Sequence, residues 1–363
     1  MKQLFLLFTL LALGSSVVFG QVGPPTQVVL VDGLTGDINA TNGRYSSVTA
    51  ALTANSQRPL TIKVEGMSIA GVVIPYDENR HNPDPLANAI GESFPIEIPS
   101  LVEIRSNGGG EVIFQGPTTG SGSLFKTPSN PTSSYNAGLK RITLLGAAIG
   151  VEVNHLTNNA MTFTVVGCTF KNCVIGLQAS ASNGPTPLEL TLTNCSISDA
   201  PPAGWTAPPA EIGLSLIASD SSGSGGVGRI NATINNLQTI GAFDGASIAS
   251  DSKIISVVAS GEAEEFDGNG NASPISEIIL DVDDCTLLGA RKNGGWTTGI
   301  YARAFGTAGL QNPQNAKKTT LLDSISRSPT PRFQASSATV YSQKSNAMDV
   351  VRLTLWTLLK SHL

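Results

Sequence analysis

The chain has 363 residues, of which only 13% are charged, and its formal net charge is −5. A nucleic-acid-binding protein would carry a basic stripe, so this composition argues against nucleic acid as a partner. The 38 glycines are typical of a chain with many tight turns between short strands.

The first 20 residues have the pattern of an export signal. Lys2 gives a positive start, an apolar stretch runs from Leu4 to Leu13, and small residues before Gln21 offer a cleavage point. The apolar stretch is too short for a membrane span, so none is expected after cleavage, with an uncleaved anchor as the alternative. The predicted location is secreted or on the cell surface.

Short strands and one helix are predicted next. Apolar strands are predicted at Gln27 to Val31 and at Leu60 to Val64, and the segment from Ser46 to Asn55 between them has apolar residues at helical spacing. Short β segments bounded by Gly, Pro and Asn then follow one another to about residue 306. No long helical pattern interrupts them, and the two-residue turns of antiparallel hairpins are missing, so parallel β coils are predicted.

A repeat occupies the middle of the chain. Four eight-residue segments (FTVVGCTF, LTLTNCSI, ATINNLQT and LDVDDCTL) have apolar residues at the first and third places and Cys or Leu at the sixth. A second motif, Gly-apolar-x-apolar or small, follows each segment. Such repetition indicates a stacked solenoid, in which each coil buries its apolar face against its neighbours. The second motif begins at Gly176, Gly213, Gly245 and Gly299, with an earlier copy at Gly150.

The four cysteines admit two interpretations. Cys168, Cys195 and Cys285 occupy the same place in the repeat, so they are expected to stack inside the coil as small apolar residues. Export to an oxidising compartment favours instead a bridge from Cys195 to Cys168 or to Cys173. No His or second Cys stands at zinc-ligand spacing.

Three N-terminal segments resemble a known module. YSSVTAAL from Tyr45, LTIKVEGMSIAG from Leu60 and FPIEIPSLVEIRS from Phe94 look like the module called DUF1565, although Arg44-Tyr45 and Met67-Ser68 depart from its usual form. That module opens many exported proteins of the pectin-lyase-like superfamily. The resemblance implies an all-β fold, namely a right-handed parallel β-helix with a short N-terminal capping helix. The module has no established catalytic residues to carry over.

The predicted organisation has four parts. Residues 1–20 are the signal peptide, residues 21–116 the DUF1565-like start and cap, residues 117–306 the β-helix repeats, and residues 307–363 an atypical basic tail. The tail is expected to be a cap on the open coil end, a poorly ordered segment, or an ending that does not continue the solenoid naturally. Within it, the segment from Met348 to Leu359 has the apolar spacing of a helix.

Two tryptophans are candidate ligand-binding residues. Trp205 lies in the segment PPAGWTAPP, and Trp296 lies in another segment predicted to be a loop. Loops that project from one side of a solenoid often carry binding groups, and an exposed Trp can stack on a sugar ring. The alternative is a Trp that packs against an end of the coil.

Two groups of oxygen-bearing side chains are candidate calcium sites. Asp281 and Asp283 alternate along a predicted strand next to Asp284, so both should face solvent. A solvated face that keeps strand edges from pairing is the alternative. The second group consists of Asp267, Asn269 and Asn271. Their spacing is that of a calcium loop, although the segment is not an EF-hand, and an acidic surface turn is the alternative.

The leading functional prediction is an exported, non-catalytic β-helix that binds carbohydrate, such as a polysaccharide or cell-surface glycan, or another surface partner. The alternative is a calcium-dependent polysaccharide lyase or a glycoside hydrolase acting on acidic polysaccharide. This alternative is an analogy with relatives of the same fold, and fold does not fix function. Because His81, His155 and His362 are interpreted as surface residues, no catalytic residue is predicted, and whether the protein is an enzyme stays open.

Overall fold

The computed structural model describes most of the chain between residues 26 and 307 and two strands near the C-terminus. The described residues are 26–37, 43–81, 90–116, 122–182, 186–198, 211–219, 228–240, 253–262, 276–287, 291–292, 295–296, 298–307, 342–344 and 347–354. The predicted signal peptide and most of the predicted tail lie outside them. Within the described residues, no helix is long and apolar enough to cross a membrane.

The described residues form one short helix and many strands. The helix α1 is Val48–Ala54. The strands in chain order are β1 Gln27–Val31, β2 Arg44–Tyr45, β3 Leu60–Val64, β4 Met67–Ile69, β5 Val72–Ile74, β6 Ile96–Glu97, β7 Val102–Ser106, β8 Ile113–Gln115, β9 Ser123–Lys126, β10 Tyr135–Lys140, β11 Thr143–Leu145, β12 Ile149–His155, β13 Met161–Val166, β14 Thr169–Lys171, β15 Ile175–Ala181, β16 Leu188–Thr193, β17 Ser196–Ser198, β18 Ile212–Ser219, β19 Arg229–Asn235, β20 Gln238–Thr239, β21 Lys253–Glu262, β22 Glu277–Asp283, β23 Arg291–Lys292, β24 Gly295–Trp296, β25 Thr298–Thr307, β26 Ser342–Lys344 and β27 Ala347–Thr354.

Three long sheets are built by successive coils of the chain. The first sheet has the strand order β2-β1-β3-β7-β10-β13-β16-β19-β22-β27-β26, the second β8-β11-β14-β17-β20, and the third β6-β9-β12-β15-β18-β21-β25. Neighbouring strands in the coils pair in parallel, for example β13 with β16. The chain visits the first, second and third sheets in turn and then returns to the first, one strand further along. This architecture confirms the predicted parallel β-helix.

The repeated segments stack in register inside the first sheet. Their first residues are consecutive Cα partners and are buried: Phe163, Leu190, Ala232 and Leu280. Along β13 the side chains of Met161 and Val165 are also buried, whereas those of Thr162 and Thr164 are half-buried on the outer side. The alternation follows from the two-residue period of a strand, so each coil presents one apolar row to the interior.

The corner between the first and second sheets has a fixed geometry. In five successive coils one corner residue has a φ between 50° and 64°: Arg141, Gly167, Asn194, Asn236 and Asp284. Gly and Asn adopt this left-handed conformation at low cost. The amide of Asn236 also donates to Oδ1 of Asn194, at 2.7 Å. The residue after each corner is buried, which explains the sixth place of the repeat: Ile142, Cys168, Cys195, Leu237 and Cys285.

All four cysteines are free and buried. The predicted bridge from Cys195 to Cys168 or Cys173 is therefore wrong, and the stacked thiols are confirmed. The reason is geometric, because corresponding positions of successive coils point the same way into one apolar core. Burial raises the pKa of Cys168 and Cys173 to about 12 and that of Cys285 to about 11.

We expect these thiols to be unreactive in the folded protein. A thiolate is the reacting species, and an ordinary cysteine has a pKa of about 8.5. Iodoacetamide at pH 8 should therefore leave native protein unmodified for hours, and urea should expose four thiols that react within minutes. Intact mass before and after unfolding measures both states. Rapid labelling of the native protein, or a mass two hydrogens short, would contradict this arrangement.

The N-terminal end of the coil is closed by α1. Ser47 caps the helix by accepting a hydrogen bond from the Ala50 amide at 3.0 Å, and the helix buries Val48 and Ala51 against the first strands. Such a cap covers apolar surface that an open solenoid end would expose. The short capping helix predicted from the sequence is therefore confirmed.

One segment of the tail differs from its prediction. The helix predicted from Met348 to Leu359 is wrong over the described residues, because Ala347–Thr354 is the strand β27, which pairs in parallel with β22. An unpaired strand edge offers backbone partners to any extended segment, and Val350 and Val351 favour extended backbone. Residues 355–363 of the predicted helix lie outside the described residues.

Candidate functional site

From β10 onward, the connections between sheets vary in length at two of the three corners. In these coils corresponding positions of the first and second sheets are six residues apart, as from Phe163 to Thr169 and from Leu280 to Thr286, whereas the preceding coil has 11 residues from Val102 to Ile113. The variable connections are those that lead into the third sheet and those that leave it. Insertions in a solenoid accumulate on the face that carries binding groups. The outer face of the third sheet is therefore the candidate site.

The connection into the third sheet is longer in the C-terminal coils than in the coils before them. Phe170 and Leu177 are 7 residues apart, whereas the corresponding Ile197 and Leu214 in the next coil are 17 apart. Trp205 lies in this longer connection, outside the described residues. Trp296 lies in the connection that leads into β25, where it pairs with Arg291 in an antiparallel hairpin. Both predicted binding residues therefore belong to connections that end at the same edge of the third sheet.

The connection out of the third sheet lengthens in the same way. Leu177 and Leu188 are 11 residues apart, whereas the corresponding Ile255 and Ile278 are 23 apart. The second predicted calcium group belongs to this longer connection and lies outside the described residues: Asp267, Asn269 and Asn271. The predicted calcium group therefore follows the C-terminal ends of the third-sheet strands, whereas the two tryptophans precede the N-terminal ends.

A row of hydrogen-bonding side chains crosses the outer face of the third sheet. The row is in register across consecutive strands and consists of Lys126, Glu152, Gln178, Ser215, Ser256 and Tyr301. Ser215 and Ser256 are each only 5% exposed, so these short side chains are largely shielded from solvent. The Nζ of Lys253 lies 5.1 Å from the centre of the Tyr301 ring, within range of a cation–π contact.

The charged end of this row is already paired. Lys126 lies 3.5 Å from Glu97, and the carboxylate of Glu152 accepts hydrogen bonds from Ser123 at 2.6 Å and Asn154 at 2.9 Å. The neutral end, from β15 to β25, is therefore the part suited to a neutral hydroxylated ligand. These residues were not predicted as site residues, although Gln178, Ser215 and Tyr301 all occupy the variable third place of the second repeat motif.

The predicted carboxylate group lies elsewhere on the molecule. Asp281 and Asp283 are exposed on the outer face of the first sheet, as the alternation of β22 predicted, and Asp284 occupies a corner with a φ of 50°. The structure therefore does not bring these carboxylates to the face that the tryptophan connections adjoin. Among the described residues, no three His, Cys, Asp or Glu side chains are grouped so that they could hold a metal ion.

The two described histidines make different contacts. The surface interpretation of His155 is wrong, because its side chain points into the coil, is 1% exposed, and makes a 2.8 Å hydrogen bond through Nε2 with the carbonyl of Thr186. Burial lowers the pKa of His155, so the neutral form is favoured. His81 pairs with Asp77 at 2.8 Å near the surface. Neither lies beside a nucleophile in the contacts described, and His362 lies outside the described residues.

Comparison with known proteins adds nothing to this geometry, since no protein-family model, curated protein or solved structure matches the chain. The resemblance to DUF1565 and to the pectin-lyase-like superfamily stays a prediction.

Proposed function

We propose that the protein is an exported, non-catalytic β-helix that binds carbohydrate across the outer face of its third sheet. The observation that supports this proposal is the placement of the long connections, which begin or end at third-sheet strands. Two of them contain Trp205 and Trp296. Binding groups are commonly carried on loops that a rigid scaffold positions, and Trp offers a broad ring with one polar atom for contact with a sugar.

The neutral row on this face supports a linear glycan as the ligand. Gln178 and Tyr301 are half-buried and offer amide and phenol groups, and the hydroxyls of Ser215 and Ser256 lie between them. Parallel strands are about 4.8 Å apart, so the row extends along the helix axis over roughly 14 Å. A polysaccharide or cell-surface glycan lying along the axis would contact several coils at once.

A catalytic role draws less support from the described residues. The lyase alternative needs six to eight oxygen ligands around calcium and a base close to the substrate. The exposed carboxylates of Asp281 and Asp283 belong to the first sheet, and calcium binding by the loop of Asp267, Asn269 and Asn271 stays a prediction. A non-catalytic function is therefore proposed, and its test includes a direct assay for cleavage.

The test measures retention and cleavage on the same glycans. The chain from residue 21 onward is passed over a panel of neutral and acidic polysaccharides, with calcium and then with chelator, while new reducing ends are assayed. We expect retention on at least one glycan without release of reducing ends. Substituting Trp205→Ala and Trp296→Ala together should weaken retention by about tenfold or more, because aromatic anchors dominate such contacts.

A matched control separates binding from general damage. Trp356→Ala removes the third tryptophan, which belongs to neither connection, and should leave retention unchanged. Folded protein that is retained by no glycan would contradict the proposal. Cleavage that stops with chelator would establish the calcium-dependent alternative, and cleavage that survives chelator would establish a hydrolase.

A further inference from the structure

The outer face of the first sheet carries its positive charge at the N-terminal coils. Lys63, Arg105 and Lys140 are Cα partners on the consecutive strands β3, β7 and β10, so they form one row along the helix axis. Arg141 follows at the adjoining corner and is exposed. Because parallel strands are about 4.8 Å apart, the row places three cations within roughly 10 Å.

Two carboxylates offset this charge only in part. Glu103 contacts Nζ of Lys140 at 2.5 Å and a guanidinium nitrogen of Arg105 at 3.5 Å, and Glu65 accepts a hydrogen bond from Asn107 at 2.7 Å. The side chains of Lys63 and Arg141 form no ion pair or hydrogen bond in the part of the chain that the structure describes. This end of the face is therefore net positive.

The same row ends in negative charge at the C-terminal coils. Following the register from Lys140 through Val166, Thr193 and Asn235 leads to Asp283 on β22. Asp281 and Asp284 lie beside Asp283, and all three side chains are exposed. No ion pair links them to a cation among the described side chains.

The middle of the face is mostly small and uncharged. Its outward residues on β13 and β16 are Thr162, Thr164, Val166, Thr191 and Thr193, with the single exposed acid Glu189. From β10 to β22, the corner between the first and second sheets has no long connection. The face thus has a basic end, a smooth middle and an acidic end.

We propose that this face binds a second copy of the chain in an antiparallel, two-fold dimer. A two-fold axis that runs parallel to the strands and lies over β13 reverses the row. It sets Lys63 opposite the partner's Asp283 and Val166 opposite its own counterpart. Each contact away from the axis then occurs twice, as an isologous interface requires. The third sheets of both copies stay outside the interface, so this inference is independent of glycan binding.

Charge complementarity favours a second copy over other occupants. An acidic polymer would be attracted by Lys63 and Arg105 and repelled by Asp281 and Asp283 at the other end of the same face. A basic partner would meet the reverse difficulty. Only a surface with the two ends in opposite order satisfies both, and the chain itself supplies one.

The area of the face suits a weak, salt-sensitive association. Six strand spacings of about 4.8 Å and six-residue strands rising about 3.3 Å per residue give roughly 600 Å² per copy. The total of about 1,200 Å² is at the low end for specific interfaces. Exposed charges dominate its ends, and the Debye length falls from about 30 Å at 0.01 M salt to about 3 Å at 1 M. The dimer should therefore form at low salt and dissociate at high salt.

Sedimentation velocity of the chain from residue 21 onward tests the proposal. The parent should sediment as a dimer at 0.01 M salt and as a monomer at 1 M. Lys63→Glu sets acid against acid at both contacts, and Asp283→Lys sets base against base, so either substitution should weaken the dimer by about tenfold or more. Mixing the two variants at equal concentration should restore dimerisation, since one copy of each kind places opposite charges together at both contacts.

The mixture also guards against misfolding, because variants that had lost their fold would not reassociate. Lys171→Glu on the second sheet and Glu97→Lys on the third are matched charge reversals, and both should dimerise like the parent. A parent that stays monomeric at low salt would overturn the proposal. So would single variants that dimerise normally, or a mixture that stays monomeric while both variants are folded by circular dichroism.

Discussion

Replacing Gly176 by alanine is expected to lower the free energy of unfolding of the β-helix by about 3 kcal/mol or more. A Cβ at this position would lie 2.4 Å from the carbonyl oxygen of Gly213 and 3.1 Å from Cβ of Phe170. The first of these atoms is backbone in the next coil, and it cannot move away without disturbing the sheet. The clash therefore cannot be relieved by turning a side chain.

The measurement is urea denaturation followed by circular dichroism, with Gly110→Ala as the matched control. A Cβ at Gly110 would have its nearest neighbour at 3.7 Å, an ordinary contact. That variant should be as stable as the parent or more stable by up to about 1 kcal/mol, since alanine restricts the unfolded chain. Equal midpoints for the two variants would show that the coils are not as closely stacked as the structure has them.

This close approach explains why a glycine motif was visible in the sequence. The backbones of Gly150, Gly176 and Gly213 lie against one another in successive coils, and a Cβ at Gly150 would lie 2.5 Å from the Gly176 carbonyl. The motif therefore records packing between coils. The motif gave one wrong match. It had aligned Gly213 with Gly245, which lies outside the described residues, but the residue in line with Gly213 in the next coil is Ile254.

The fold was predictable because each coil repeats the same local physics. Phe163, Leu190 and Leu280 fill equivalent places in one core, and the corner before the buried sixth place of the repeat needs a left-handed residue such as Asn194 or Asn236. Both constraints depend on a few adjacent residues, so they leave a pattern in the sequence. The lengths of the connections follow no such pattern. Because they vary, the register of the strands in the later coils could not be predicted from the sequence.

The candidate site was predictable only in part. The tryptophans stood out because loop aromatics are rare in this chain, but their shared sheet edge depends on how β18 and β25 pair with their neighbours. The row containing Gln178 and Tyr301 comes from residues 123 positions apart that only stacking brings into line. Similarly, the distance between Lys63 and Asp283 along one row is set by the number of coils, which sequence alone left open.

The second large effect is expected at Glu92, which holds the capping helix. The residue is 4% exposed, and its carboxylate accepts hydrogen bonds from the amides of Val48 at 2.7 Å and Thr49 at 3.0 Å, and from the Thr49 hydroxyl at 2.8 Å. Glu92→Ala leaves three buried or half-buried donors without this acceptor. We expect a loss of about 3 kcal/mol, because each unsatisfied buried donor costs about 1–3 kcal/mol.

The same residue should make stability depend on pH. Burial raises the pKa of Glu92 from 4.5 to about 7, and the three donors lower it only in part. The folded state therefore binds more protons than the unfolded state between pH 4.5 and 7. The stabilising contribution of protonated Glu92 is fully present below pH 4.5 and is lost as the pH rises through 7. The free energy of unfolding should fall by about 3 kcal/mol over this range, at about 1.36 kcal/mol per pH unit.

Urea midpoints measured from pH 4.5 to pH 8 test this sign. Glu92→Gln cannot ionise, so the fall in stability seen in the parent should be absent from that variant. Glu97→Gln changes a half-exposed glutamate on the third sheet and should keep the parent's dependence. The difference between the parent and Glu92→Gln isolates Glu92, because other shifted groups such as His155 titrate alike in both proteins. A parent that gains stability relative to Glu92→Gln as the pH rises would contradict the prediction and would mean that the three donors outweigh burial.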